Sequence, residues 1–413
     1  MIKNKSKRVI NSLLDLDLYK LTMCQLAFLF FRNIPVVFGF TNRTKTIKLT
    51  RHIKKNDLLT EFGYISGLRF RDDELDYLRN LEIMGIRIFR ESFLGFLKNL
   101  QLSGLNIEDD GESYKITAQG SWPEVTLWET LILSVVNELY YRRILQKMSR
   151  AERKDLFAEG QRRLEEKIKI LKKNPHIVFS EFGTRRRFSG EWQEYIVKRL
   201  AQAVPCQLAG TSNVYLAKKL GLKPIGTFAH EMFMVFSGIF HENDDDILKS
   251  HNKVLQYWKK LYKNVLLIVL TDTYGSDFFF RDMTLEQAGE WAGLRHDSGD
   301  PVEFGEKAIK FYQDKGIDPR DKIIVFSDGL DIETIVKLAN HFQGRIKVTF
   351  GWGTNLTNDL GLKSLSLVVK AVKSNGHDTV KLSDNIAKAI GREVERFKII
   401  FSYKVEFSEE CKY

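Results

Sequence analysis

Cysteine is nearly absent: Cys24, Cys206 and Cys411 are the only three in 413 residues. So few, so widely separated, build neither a disulfide framework nor a thiolate metal site. Seven Pro and 28 Gly exclude a collagenous or Pro/Gly-rich disordered chain. Long hydrophobic runs are missing too. Val265–Leu270 is typical, against the roughly 20 apolar residues a transmembrane helix needs. The segment Met1–Lys7 is basic but leads into no uninterrupted apolar core or small-residue cleavage site. No leader is expected, and a cytoplasmic location is. The eight His form no HxxxH or Cys/His cluster, which disfavours a zinc site. Neither GxxxxGK[ST] nor GxSxG occurs, so P-loop and α/β-hydrolase readings fall away.

What is present is an ordinary globular composition, 43% hydrophobic and 28% charged. The length suits a large α/β barrel or two to three domains. Lys and Arg total 64 against 53 Asp and Glu, a net +11. That excess is compatible with nucleic acid, an anionic membrane surface or an anionic small substrate.

The first 125 residues read as helix-rich with short strands. Ser12 is positioned to cap a helix running to about Phe31, and Val36–Thr41 and Tyr114–Gln119 read as strands. Leu127–Gln146 is mostly apolar and should be a buried helix. Arg150–Lys173 interleaves acids and bases at helical spacing, as a solvated or crossover face does, a binding face being the alternative. From His176 the texture changes to short β-rich runs, most followed by helical patterns. They are His176–Phe182, Pro205–Gly210, Pro224–Phe228, Val265–Thr271, Leu294–Asp297, Lys322–Asp328 and Lys347–Gly351. This alternation predicts parallel βα units. Most of the runs end in small or polar residues, at the carboxyl ends where a βα barrel carries its active site. Two β-like pieces follow, Leu365–Val372 and Thr379–Ser383.

Several of these ends carry candidate chemistry. Gly351-Trp-Gly-Thr-Asn355 can cradle a phosphate on exposed amides and Thr354, or simply make a tight turn. Ser327-Asp328-Gly329-Leu-Asp331 reads equally as a helix cap or as phosphate and hydroxyl contacts. Arg295-His296-Asp297-Ser298-Gly299-Asp300 crowds a guanidinium, an imidazole and two carboxylates into six residues. Arg295 could fork onto a carboxylate or phosphate, and an Asp here could meet sugar hydroxyls or a Mg2+ complex. Arg185, Arg186 and Arg187 follow a strand directly, and at least one of them should be structural or solvated. His230 lies at a strand end close to a helix start, where a lone histidine is usually structural.

Together these blocks resemble the nicotinate phosphoribosyltransferase family of bacterial and fungal type. The matching segments run from Leu14-Asp15-Leu-Asp17-Leu-Tyr19-Lys20 to Lys381-Leu-Ser-Asp384. Between them stand SEFGTRRR, AGTSNVYLAKKLGL, GTFAHE, LTDTYGSDFF, GLRHDSGDPVEFGEKAI, FSDGLD and FGWGTNL, in family order. The resemblance implies condensation of nicotinate with phosphoribosyl pyrophosphate to nicotinate mononucleotide and pyrophosphate, coupled to ATP hydrolysis. It implies Mg2+, a homodimer with shared active sites, and neither a nucleic-acid nor a membrane partner.

The fold it implies is an irregular parallel α/β (TIM-like) barrel of the type II phosphoribosyltransferases, over 126–359. A mixed α+β amino-terminal domain over 1–125 would be completed by strands from about 360–413. By the same resemblance His230 is the transiently phosphorylated histidine, Arg295 the base-site arginine and Asp297 the carboxylate near the ribose. Phe182 and Tyr19 would sandwich the pyridine, Tyr19 reaching in from the second subunit. Ser327, Asp328, Gly353 and Thr354 match the 5′-phosphate and ribose end. Arg43, Arg185, Lys370 and Lys381 are looser matches around pyrophosphate. Thr211 and Ser212 fall in the segment where the related nicotinamide enzyme carries Asp after Gly-Thr. Ser212 would not repel a substrate carboxylate, so nicotinate is expected over nicotinamide. Another pyridine base, or an RNA-binding protein using the charged helix and the arginine run, are the competing readings. No RNP-type or KH motif supports the latter.

Overall fold

The computed structural model describes residues 8–409. The notable segment Met1–Lys7 and Cys411 lie outside the described residues. Two sheets organise the chain. The first is antiparallel and joins β1 (Pro35–Asn42), β2 (Leu105–Asp109) and β3 (Tyr114–Ser121) to strands from much later in the chain. The second is parallel and holds β4 (Phe179–Glu181), β5 (Leu208–Thr211), β6 (Ile268–Leu270), β7 (Gly293–His296), β8 (Ile323–Phe326) and β9 (Lys347–Trp352). Its order is β5-β4-β9-β8-β7-β6, every neighbouring pair parallel.

The Pro224–Phe228 run does not become a ladder strand as its β-rich composition predicts. It makes one parallel bridge, Thr211 to Pro224, and the Thr227 hydroxyl donates to the Ile268 carbonyl at 2.9 Å. Pro224 has no N–H to give a ladder. The segment therefore spans the gap between β5 and β6 with irregular backbone, and the parallel sheet closes as an irregular α/β barrel.

After the barrel the chain returns to the first sheet. There β10 (Leu367–Ser374) lies between β1 and β11 (His377–Asp378), in the order β11-β10-β1-β3-β2. Register pairs Gly39 of β1 with Lys370 of β10, which brings a late lysine beside the amino-terminal sheet.

Among the helices, α1 spans Leu18–Phe30, starting later than Ser12. The Ser12 hydroxyl is committed to Glu74 and to the Leu14 amide instead, and residues between bend as turns. Helix α2 (Trp128–Lys147) is buried along most of its length, and α3 (Arg150–Lys173) is the densely charged one. Leu156, Gly160, Leu164, Ile168 and Leu171 form the buried stripe of α3. A Cβ at Gly160 would fall 2.8 Å from Trp192, so only glycine lets α3 pack this closely. The charges in its middle are paired: Arg162 with Glu159 and Glu166, Arg163 and Lys167 with Asp359, Glu165 with Arg199. Most of the remaining charges face solvent. Among the described residues no helix is long and apolar enough to cross a membrane.

Candidate active site

One cleft opens at the carboxyl ends of the barrel strands, roofed by the first sheet. Of the fifteen residues singled out from the sequence, fourteen line it: Tyr19, Arg43, Phe182, Arg185, Ser212, His230, Arg295, Asp297, Ser327, Asp328, Gly353, Thr354, Lys370 and Lys381. Thr211 does not. Its side chain is fully buried, donating to Glu181 and accepting from the Asn213 amide, so it shapes the end of β5. Tyr19, Lys370 and Lys381 all line the cleft of their own chain. Tyr19 sits in the first turn of α1 over Gly226, where an added Cβ would lie 3.2 Å from the Tyr19 nitrogen. This packing fixes its placement within its own chain.

Phe182 follows β4 and lies across Gly351. A Cβ at 351 would come 2.4 Å from the Phe182 ring, so the first glycine of the Gly-Trp-Gly turn exists to admit that ring. Arg185 stands 5.5 Å from the Tyr19 ring centroid, as a cation–π pair does. The Tyr19 hydroxyl is buried without a hydrogen-bond partner. Of the three consecutive arginines, Arg185 and Arg186 face the cleft. Arg187 is buried and forks onto Asp15 at 2.6 and 2.8 Å, tying the turn before α1 to the barrel.

His230 ends the irregular stave and begins α4 (Glu231–Ile239). Its Nε2 lies 2.8 Å from Asp297 Oδ2 and its Nδ1 lies 3.0 Å from Thr273 Oγ1. Burial, aided by the Lys381 charge, lowers its pKa to about 4 despite Asp272 and Asp297. The ring is therefore neutral at physiological pH. Asp297 is held well below the usual carboxylate range: burial opposes ionisation, but His230, Lys381 and Arg295 outweigh it. An ionised carboxylate only accepts, so Nε2 carries the proton and Nδ1 accepts from Thr273.

His230, Asp272 and Asp297 are the one trio among the described residues whose potential ligand atoms all lie within 4.8 Å of one another. Asp272 Oδ1 is buried and accepts no hydrogen bond, while Ser298 and Ser383 serve Oδ2. An orphaned carboxylate oxygen beside a second carboxylate fits a hard divalent cation such as Mg2+.

At the far end, the Ser327 hydroxyl donates to the His296 carbonyl at 2.9 Å and lies 3.2 Å from Asp297. Asp328 pairs with Lys388 at 2.6 Å. Arg43 donates to the Lys388 carbonyl at 2.8 Å.

Sequence reading missed a second tier of charges. The Ser212 hydroxyl donates to Asp17, whose pKa burial raises even though Arg185 opposes it. Lys20 is fully buried between Glu129 and Glu231, and Glu231 is fixed further by Trp122 and Thr126. Asp272 and Thr273 had a signal, a polar end on the run Val265–Thr271. Glu129 had one too, a lone acid in the first turn of an apolar helix. Lys388 had none.

Comparison with known proteins adds an independent line. A model of the nicotinate phosphoribosyltransferase (NAPRTase) family matches residues 177–406, and a model of the NAPRTase N-terminal domain matches residues 14–137. Among solved structures, nicotinate phosphoribosyltransferase from Porphyromonas gingivalis is 32% identical with a TM-score of 0.85. That match covers 95% of this chain and 100% of the other. The Vibrio cholerae nicotinate phosphoribosyltransferase is 31% identical with a TM-score of 0.87, over 97% of this chain and 96% of its own.

Proposed function

The chain belongs to the nicotinate phosphoribosyltransferase family, and from that premise we propose that the cleft joins nicotinate to phosphoribosyl pyrophosphate with ATP hydrolysis coupled through His230. The observation that carries this reading is convergence. A neutral buried histidine, an ionised carboxylate, Phe182, Tyr19 and a shell of cations meet on one wall-to-wall cleft.

In the transfer step the pyridine nitrogen attacks the anomeric carbon and the bond to pyrophosphate breaks. Phe182 and Tyr19 hold the ring, making attack effectively unimolecular. Arg43, Lys370 and Lys381 take the charge that grows on the leaving pyrophosphate. Asp297 tolerates the positive charge that grows on the sugar. Mg2+, held by Asp272 and Asp297 when bound, would screen the phosphoryl charge.

The coupling step transfers the γ-phosphoryl group of ATP to His230, breaking its bond to ADP; water later releases phosphate. Nε2 is the nitrogen on the cleft side, because Asp297 lines the cleft and Thr273 is fully buried. Attack from Nε2 requires its lone pair, hence the tautomer with Nδ1–H donating to Thr273. Substrate arrival must then draw Asp297 off the ring. The product would feed NAD biosynthesis.

The test is pyrophosphate release from phosphoribosyl pyrophosphate and nicotinate, with and without ATP. Release that ATP accelerates, with ADP formed, is expected. No release would refute the transfer, and release indifferent to ATP would refute the coupling. RNA binding with a steep salt slope and no release would favour the competing polyanion reading.

A further inference from the structure

Glu129 takes no part in the steps above, yet it is a buried counter-charge of the cleft. It lies in the first turn of α2 with a side chain 2% exposed. One oxygen meets Lys20; the other lies 3.4 Å from Arg185 Nη1 and 3.7 Å from Lys370 Nζ. Two of these three cations have a second carboxylate. Lys20 has Glu231, and Arg185 has Asp17 at 3.6 Å. Among the described residues, Glu129 is the one carboxylate within 4.0 Å of Lys370.

We propose that Glu129 is a positioning residue for the pyrophosphate-bearing substrate, keeping Lys370 charged and turned into the cleft. This rests on the reading of the cleft given above. Lys370 reaches in from β10 with a side chain 11% exposed, so little water is available to solvate an ammonium. The groups that face it come from four places: Glu129 on α2, Arg185 after β4, Asp297 after β7 and Lys381 beyond β10. Two of the four are cations, and Asp297 is engaged by His230. Burial already lowers the Lys370 pKa to about 8, with Lys381 and Arg185 adding to the fall and Glu129 opposing it. An amide at 129 keeps the shape and removes the opposition. Lys370 would then lose its proton at a lower pH, while an arginine at 370 would stay charged.

The experiment measures KM for phosphoribosyl pyrophosphate in the intact enzyme across pH. Glu129→Gln should raise that KM about tenfold near pH 8.5 and much less near pH 6.5, with a smaller change in KM for nicotinate. Adding Lys370→Arg to Glu129→Gln should recover most of the alkaline loss. An equal rise at both pH values, or no recovery in a double variant that melts normally, would overturn the proposal. Should Glu129→Gln not fold, Lys370→Arg alone must flatten the alkaline rise of the wild-type KM; an unchanged alkaline limb is the refuting result. A wild-type enzyme that releases no pyrophosphate overturns the reading of the cleft and this inference together. A pH-independent defect in an active enzyme overturns this inference alone.

Discussion

The Ser212 hydroxyl donates to Asp17 Oδ1 across 2.6 Å, with both groups buried at the cleft wall. A carboxylate thus stands within one hydrogen bond of the position we propose meets the pyridine substituent. Arg185, 3.6 Å from Asp17, faces the same region with the opposite charge. Ser212→Asp would set two carboxylates against each other and add a repulsion toward the carboxylate of nicotinate. Desolvated like-charge contacts cost several kcal/mol, so kcat/KM for nicotinate should fall by about a hundredfold or more. The nicotinamide-to-nicotinate ratio should rise. Measuring kcat/KM for both bases checks this, and an unchanged ratio would remove Ser212 from the specificity argument.

Gly351→Ala should damage the base end selectively. Its Cβ would sit 2.4 Å from the Phe182 ring, and overpacking of this kind costs about 1–3 kcal/mol. Displacing Phe182 should raise KM for nicotinate while KM for phosphoribosyl pyrophosphate moves little. Steady-state kinetics in both substrates separates the two. Equal effects on both would place Phe182 away from the pyridine.

His230→Ala should abolish nicotinate-stimulated ATP hydrolysis and leave slow phosphoribosyl transfer. The ring's two contacts, Asp297 and Thr273, hold one nitrogen toward the cleft. None of the transfer steps takes an atom from it. Parallel assays of ADP and pyrophosphate give the answer. ATPase at the wild-type rate in this variant would show that another residue couples the hydrolysis.

Glu181 supplies a pH test that involves no reacting group. It is fully buried at the end of β4, accepting from Thr211, Gln193 and the Gly183 amide. Burial raises its pKa from 4.5 to about 7 in spite of those donors. The folded state therefore binds more protons than the unfolded state between these limits. Its stability contribution is full below about pH 4.5 and is lost as pH rises toward 7. The size is on the order of 3 kcal/mol. Glu181→Gln, which can keep all three contacts, should gain on the wild type as pH rises from about 5 to 8. Urea midpoints at the two ends, with m-values compared, measure it. A constant difference would mean that Glu181 stays ionised throughout.

Much of the barrel was legible along the chain. Most β-rich runs after His176 became parallel strands, because short apolar runs bounded by polar ends have few other stable uses. Leu105–Asp109 carries little strand signal, with just two apolar positions, Leu105 and Ile107, and pairs at the sheet edge. The composition of Pro224–Phe228 favours a strand, but its pairing depends on β5 and β6 and on a missing N–H. Phe182, Arg185, Arg295, Asp297, Ser327 and Thr354 could be marked individually, since each sits in a polar block at a strand end. Tyr19 in α1 and Lys370 inside β10 stand in apolar surroundings and are marked by the family resemblance alone.

The sequence by itself determined the alternation of strand and helix and the polar strand ends that became the cleft wall. It also determined the set of cationic and aromatic residues there. Only the tertiary structure decided which charges confront one another. Lys20 meets Glu231 across 211 positions, and Ser212 meets Asp17 across 195. Coulomb interaction and desolvation depend on distance and burial, not on order along a chain. For that reason no local pattern could have placed Glu129 beneath both Arg185 and Lys370.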